Sequence, residues 1–183
     1  MNAIRSASRS PFLLPLLLVA CGDSHAGSSA AAAAPDAAVC VLRPVGDGSV
    51  HGLVHLRADG DSVHVTGEVR GLEPGKHGFH VHRFGDVRGA EDGASAGGHF
   101  APHGHDHGAP DAAVRHVGDL GNLVAGPDGV AAIDVRDATI ALHGENSVVG
   151  RAFVVHAGED TFTPPSGGAG ARVALGVIGI AAK

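Results

Sequence analysis

Between His99 and Asp119 the chain reads H-F-A-P-H-G-H-D-H-G-A-P-D-A-A-V-R-H-V-G-D, with five histidines and three aspartates in twenty-one residues. Glycine, alanine and proline separate them, and few bulky apolar side chains intervene. Such a segment cannot build a core. It is either a solvated loop or a loop folded around metal. Imidazole nitrogen combined with carboxylate oxygen suits Zn²⁺ or Cu²⁺, whereas Mg²⁺ and Ca²⁺ prefer all-oxygen sites. The core and the frame that would hold this loop must come from the rest of the chain.

That frame reads as strands. Val39–Leu42 is a first strand, with Cys40 as a small buried hydrophobe. Val50, Gly52, Val54 and Leu56 alternate with His51, Leu53, His55 and Arg57. After the Asp59-Gly60 turn, Val63, Val65, Gly67 and Val69 alternate with His64, Thr66, Glu68 and Arg70. Period two over long runs is the pattern of a half-buried strand. His51, His55 and His64 fall mainly on the polar side and read as solvent-facing residues.

Lys76–Phe84 is a fourth strand, in which alternation places His80 and His82 on one face and Phe79 and Val81 on the other. Two histidines at i and i+2 on a rigid strand make a bidentate clamp for a metal. Residues 83–98 form a long Gly-rich loop ahead of the His-rich segment. Further strands are expected at 121–128, Val130–Val135, Ala138–His143, Val148–His156 and Arg172–Ala181, with a Gly/Pro-rich loop over 157–171. About eight strands and no convincing helix predict an all-β, antiparallel sandwich or Greek-key barrel carrying long functional loops.

The 183 residues suffice for one domain with a core, and 29 glycines with no Trp or Tyr suit a turn-rich β fold. Residues 1–21 resemble an export signal: Arg5 and Arg9 are the positive start, and Pro11–Ala20 is an apolar run too short to span a bilayer. The run closes on Leu18-Val19-Ala20-Cys21, which resembles a bacterial lipobox with Cys21 as the acylated residue. Ordinary cleavage further on, in the alanine-rich run, is the alternative. Acyl chains on Cys21 would tether the protein to a membrane, each buried CH₂ contributing about 0.8 kcal/mol.

Residues 22–38 read as a flexible tether that includes a solvated His25, and 39–183 as the barrel domain. Removing Arg5 and Arg9 leaves 11 basic against 19 acidic residues, a charge of −8, which argues against nucleic-acid binding. Cys21 and Cys40 are read as doing separate jobs rather than pairing.

Six pieces in order carry a resemblance: Gly78-Phe-His80-Val-His82, Ser95-Ala-Gly-Gly-His99-Phe, His107-Gly, His116-Val-Gly-Asp119-Leu-Gly-Asn122, Gly150-Arg-Ala-Phe-Val-Val-His156 and Gly176-Val-Ile-Gly-Ile180. Together they resemble the copper,zinc superoxide dismutases from about Val39 to the end. The resemblance implies an eight-stranded Greek-key barrel, an immunoglobulin-like sandwich in outline. It implies copper on His80, His82, His99 and His156, and zinc on His99, His107, His116 and Asp119, with His99 bridging the two. Asp160 would hydrogen-bond His80 and His107, and Arg172 would receive the anionic substrate.

The implied reaction is dismutation of superoxide to O₂ and H₂O₂, with Arg172 and His99 as its catalytic residues. His103 and His105 are extra to the pattern, and read as solvated or as weak metal contacts. His77 and His143 receive no role. A homodimer is possible, and the implied place of work is a bacterial envelope, on the periplasmic side of a membrane. An exported copper or zinc buffer without turnover is the competing reading, and a barrel with incidental histidines a third. Arg172 and Asp160 favour the enzyme, because a buffer needs neither.

Two departures from the family follow. Its usual disulfide would join positions occupied here by Gly93 and Leu175, a closure worth on the order of 4 kcal/mol. The expectation is a metal-free protein that is loose in the 84–98 loop. The 157–171 loop holds Glu159 and Asp160 and no basic residue, so long-range steering of an anion should be weak.

Overall fold

The computed structural model describes residues 34–89 and 91–182. The export signal, Cys21 and most of the tether lie outside these residues. Eight strands run in the order β1 (Ala37–Pro44), β2 (His51–Asp59), β3 (Ser62–Arg70), β4 (Gly75–His82), β5 (Asp119–Ala125), β6 (Val130–Asp137), β7 (Ala152–His156) and β8 (Arg172–Ile180). Every pairing is antiparallel, and the lateral order is β5-β4-β7-β8-β1-β2-β3-β6. The two ends, β5 and β6, approach each other without a hydrogen-bonded ladder, so the sheet is a nearly closed Greek-key barrel.

Alternation sets which side chains fill it. Ala38, Cys40 and Leu42 of β1, Val54 and Leu56 of β2, and Val63, Val65 and Val69 of β3 point inward and are buried. His51 and His55 are exposed, as period two predicts. On the other wall Phe79 and Phe153 stack with ring centroids 4.8 Å apart, which ties β4 to β7. Among the described residues the helical content is one 3-10 turn, Ala94–Ala96.

Several boundaries differ from the reading of the sequence, three of them with a plain physical cause. The barrel begins at Ala37, because Ala38 pairs with both Leu56 and Ile180 and is buried. Ala138–His143 is not a strand. Asp137 Oδ1 accepts from the N–H groups of Thr139 (2.7 Å) and Ile140 (2.9 Å), which turns the chain as β6 ends. Ile140 and Leu142 are nonetheless buried, and that is the source of the misleading alternation. Residues 148–151 are likewise a turn, and β7 starts at Ala152.

Candidate metal centre

The donors are gathered by backbone stitching. His80 and His82 project from β4. Phe100 N–H donates to Val81 O (2.8 Å), Gly118 N–H to Phe100 O (2.9 Å), and Val81 N–H to Gly118 O (2.8 Å). This ring of three bonds brings His99, His82 and Asp119 to one place although they come from three segments. Gly118 is required there, since a Cβ would lie 2.2 Å from Val81 O. His156 ends β7, where it pairs with Arg172 at the start of β8.

Two sets of donor atoms result. His80, His82, His99 and His156 can each offer one atom within 4.8 Å of the others, and so can His99, His107, His116 and Asp119. His99 belongs to both. Its Nδ1 lies 2.9 Å from Asp119 Oδ1 and 3.4 Å from His116 Nδ1, so its other nitrogen is left for the first set.

The ring nitrogens not needed for metal are held elsewhere. Asp160 accepts from His80 Nε2 and His107 Nε2, both at 2.8 Å, through its two carboxylate oxygens. Asn122 fixes Asp160 in turn: its Nδ2 donates to Asp160 O (2.9 Å) and its Oδ1 accepts from Asp160 N–H (2.8 Å). His82 Nδ1 donates to Gly97 O (2.8 Å) and His156 Nδ1 to Gly170 O (3.0 Å). Such bonds fix tautomer and ring direction.

What is left over tests the fit to metal. His80 Nδ1, His82 Nε2, His107 Nδ1 and His156 Nε2 are buried and have no hydrogen-bond partner. His107 Nδ1 is 2.9 Å from Asp119 Oδ2 yet makes no hydrogen bond with it. The two lone pairs face a common point instead of each other. Buried unpartnered nitrogens are costly in a folded chain, and an ion at each donor set would account for all four.

Electrostatics agrees. Burial pushes the imidazoles of His82 down to about 2 and of His156 down to about 4, and lowers His80 and His116 by the same cause. Neutral imidazole is the form that binds metal. Burial works against the Asp119 carboxylate, but the His99 hydrogen bond and neighbouring His116 outweigh it and hold the group at about 2. Asp160, bonded by His80 and His107, is likewise held well below the usual carboxylate range against the opposing effect of burial.

A cleft lined by His82, His99, His156 and Arg172, with the turn over 165–170, leads to the first set. Arg172 donates from Nη2 to Gly97 O (2.6 Å) and from Nη1 to Gly93 O. Gly97 O therefore serves both Arg172 and His82.

Three residues carry structural weight that sequence reading did not assign. His77, buried between carbonyls, bonds His156 O and Glu73 O at 2.8 Å each and so braces the backbone of a donor. Its place on the core-facing side of β4, next to Phe79 and Val81, was the available signal. Arg115 donates to the carbonyls of Pro110, His116, Val117 and Asp119 and pairs with buried Asp137. Nothing in the sequence connects Arg115 to a residue twenty-two positions on. Leu175 stands beside Gly93, where a Cβ would meet its Cδ2 at 3.4 Å, and packs with Val45, Ala96, Ala152 and Val154.

Two adjoining donor sets on a Greek-key barrel, with an arginine at the mouth of the cleft beside them, make a site able to hold two metal ions. The family model for copper/zinc superoxide dismutase matches residues 50–178. The extracellular [Cu-Zn] superoxide dismutase of Brugia pahangi is 44% identical over 146 residues, which cover 74% of this chain and 72% of that protein. Superoxide dismutase [Cu-Zn] 2 of Mesembryanthemum crystallinum is 46% identical over 154 residues, 80% of this chain and 96% of that one. The crystal structure of the clock protein EA4 superposes with a TM-score of 0.75 at 40% identity, covering 81% of this chain and 96% of that chain. The chain belongs to the copper/zinc superoxide dismutase family, and the ions the family implies are copper and zinc.

Proposed function

We propose that the protein converts superoxide to O₂ and H₂O₂, holding copper on His80, His82, His99 and His156 and zinc on His99, His107, His116 and Asp119. The observation that carries this is His99 shared between two sets in which four buried nitrogens, of His80, His82, His107 and His156, lack any other partner. When bound, copper would supply the one-electron change in both directions, and His107, His116, Asp119 and His99 would hold zinc, which would order the loop that carries them. Arg172 receives the anion in the cleft and favours it over neutral O₂. Asp160 keeps His80 and His107 turned toward their ions. His99 Nε2 is the ring nitrogen that faces the first set and can hold a proton for the product.

The deciding experiment is superoxide dismutation by the copper- and zinc-loaded chain beside His156→Ala and Arg172→Ala. Fast turnover lost in the first and reduced in the second is expected. Tight binding of both metals without turnover in any of them would leave a metal buffer instead.

For location, we propose export to a bacterial envelope with lipid on Cys21. The lipobox-like end of the signal and the extracellular relative support it. Metabolic labelling with palmitate, present in the wild type and lost in Cys21→Ser, is the check. A second copy is the proposed occupant of one shallow apolar depression between β1, β8 and the 83–98 loop, lined by the exposed Val41, Val177 and Val87. Light scattering should give twice the chain mass, falling to one in Val41→Glu.

A further inference from the structure

His103 and His105 belong to neither donor set. Both lie in the loop that carries His107 and His116, and both ring orientations are set by bonds that leave one nitrogen free. His103 Nε2 is 2.9 Å from Asn146 Oδ1. An amide oxygen only accepts, so Nε2 carries the proton and Nδ1 carries the lone pair. That Nδ1 stands 3.8 Å from Glu145 Oε1. A nitrogen lone pair and a carboxylate facing each other in this way can share a cation.

His105 Nδ1 donates to Arg115 O (3.3 Å), which leaves Nε2 with its lone pair. This is the arrangement of His82 and His156 in the centre, where Nδ1 is tied to a backbone carbonyl and Nε2 is free. The two rings have centroids 5.7 Å apart. The corresponding separations are 5.5 Å for His107 and His116, and 5.4 Å for His99 and His116. Asn146 is itself held, its Nδ2 donating to Thr139 O at 2.9 Å.

We propose that His103, His105 and Glu145 form a third, peripheral site for a divalent cation of the imidazole- and carboxylate-binding kind, Zn²⁺ or Cu²⁺. The site is more open than the centre: the His103 side chain is 37% exposed and that of Glu145 74%. It holds its ion weakly and exchanges it with solvent. In the structure the three donors do not yet all come within 4.8 Å of one another, and the site closes by rotation of the exposed Glu145 side chain onto the two nitrogens. An ion there joins the 101–118 loop to the turn after β6, close in sequence to the donors His107 and His116.

The test is calorimetric titration of Zn²⁺ into the full chain already loaded with copper and zinc. The wild type should take up one further equivalent at micromolar affinity. His103→Ala/His105→Ala should lose it while keeping turnover and both tight ions. Glu145→Gln, which keeps the shape of the side chain, should weaken it about tenfold, as should Asn146→Ala through the freed His103 ring. No further equivalent in the wild type would overturn the proposal, and so would one retained in the double variant. Content of the two tight ions is read in the same samples, so failure of the centre is seen separately from failure of this site.

Discussion

The two loops that flank His99 are built in opposite ways. Residues 83–98 are anchored by Ala96, which packs in one buried cluster with Val45, Ala152, Val154 and Leu175. Arg172 grips the carbonyls of Gly93 and Gly97, and Ser95 Oγ bridges Gly89 N–H and Asp86 O. Residues 101–118 place Val117 in the main core and leave Val114 exposed, as Phe84 and Val87 are in the first loop. Arg115, His107, His116 and Asp119 organise them through polar groups. Apolar packing needs no ion, whereas converging lone pairs need a cation to be stable. The first loop is therefore expected to keep its order without metal, and the second to gain its order from it. The contrast predicts an 84–98 loop that stays ordered without metal, the opposite of the looseness expected from the missing disulfide, and amide exchange decides between them.

Acid offers the largest test of that contrast. The folded-state pKa values of His82 and His156 lie near 2 and 4 against 6.5 for the free group. Below pH 6.5 the unfolded chain binds protons that the folded chain refuses, so stability of the metal-free protein falls as pH drops and is flat above. Two such histidines lose on the order of 5 kcal/mol between pH 6.5 and about 4.5. The 83–98 loop contains no histidine and should stay packed longest, as hydrogen exchange at stepped pH will show.

Next in size is Arg115→Ala, which strands buried Asp137 and should cost about 3–5 kcal/mol in urea unfolding. Zinc affinity should fall with it. Leu175→Ala should cost about 3 kcal/mol and lower turnover at unchanged copper and zinc content, by loosening the carbonyls that hold Arg172. Leu175→Met should restore both. Unaltered turnover in Leu175→Ala would break the link between the cluster and Arg172.

Removing metal should speed amide exchange over 101–118 about a hundredfold, the equivalent of ~2.7 kcal/mol for an ion at a hundred times its Kd. Exchange over 84–98 should change little, and an equal rise in both loops would end the comparison. The smallest effect concerns salt. Glu159 is paired with Lys76 at 2.7 Å, and 157–171 adds no cation before Arg172. The dismutation rate constant should barely fall between low and physiological ionic strength, whereas a steep fall would reveal steering.

Much of this was legible in the sequence, for definite reasons. Strands β2 and β3 show because one face is dry and the other wet, so period two survives in the residue types. The donors show because each needs a specific side chain at a specific spacing, and the structure brings all seven together. Asp160 likewise meets both His80 and His107. Ala138–His143 misled because buried Ile140 and Leu142 alternate in a turn set by Asp137. Arg115 and the Leu175 cluster were not legible at all. Their meaning lies in partners from distant segments, which leave no local periodicity.

The Leu175 cluster has a further consequence, for how the chain matures. A loop locked by a disulfide waits for an oxidant, and Arg172 would wait with it. Here the lock closes on folding alone, and Cys40, the cysteine within the barrel, is buried with its thiol pushed up to about 12 by desolvation. At neutral pH it offers almost no thiolate to attack other disulfides. The arginine over the cleft can reach its working position in a reducing compartment as readily as in an oxidising one.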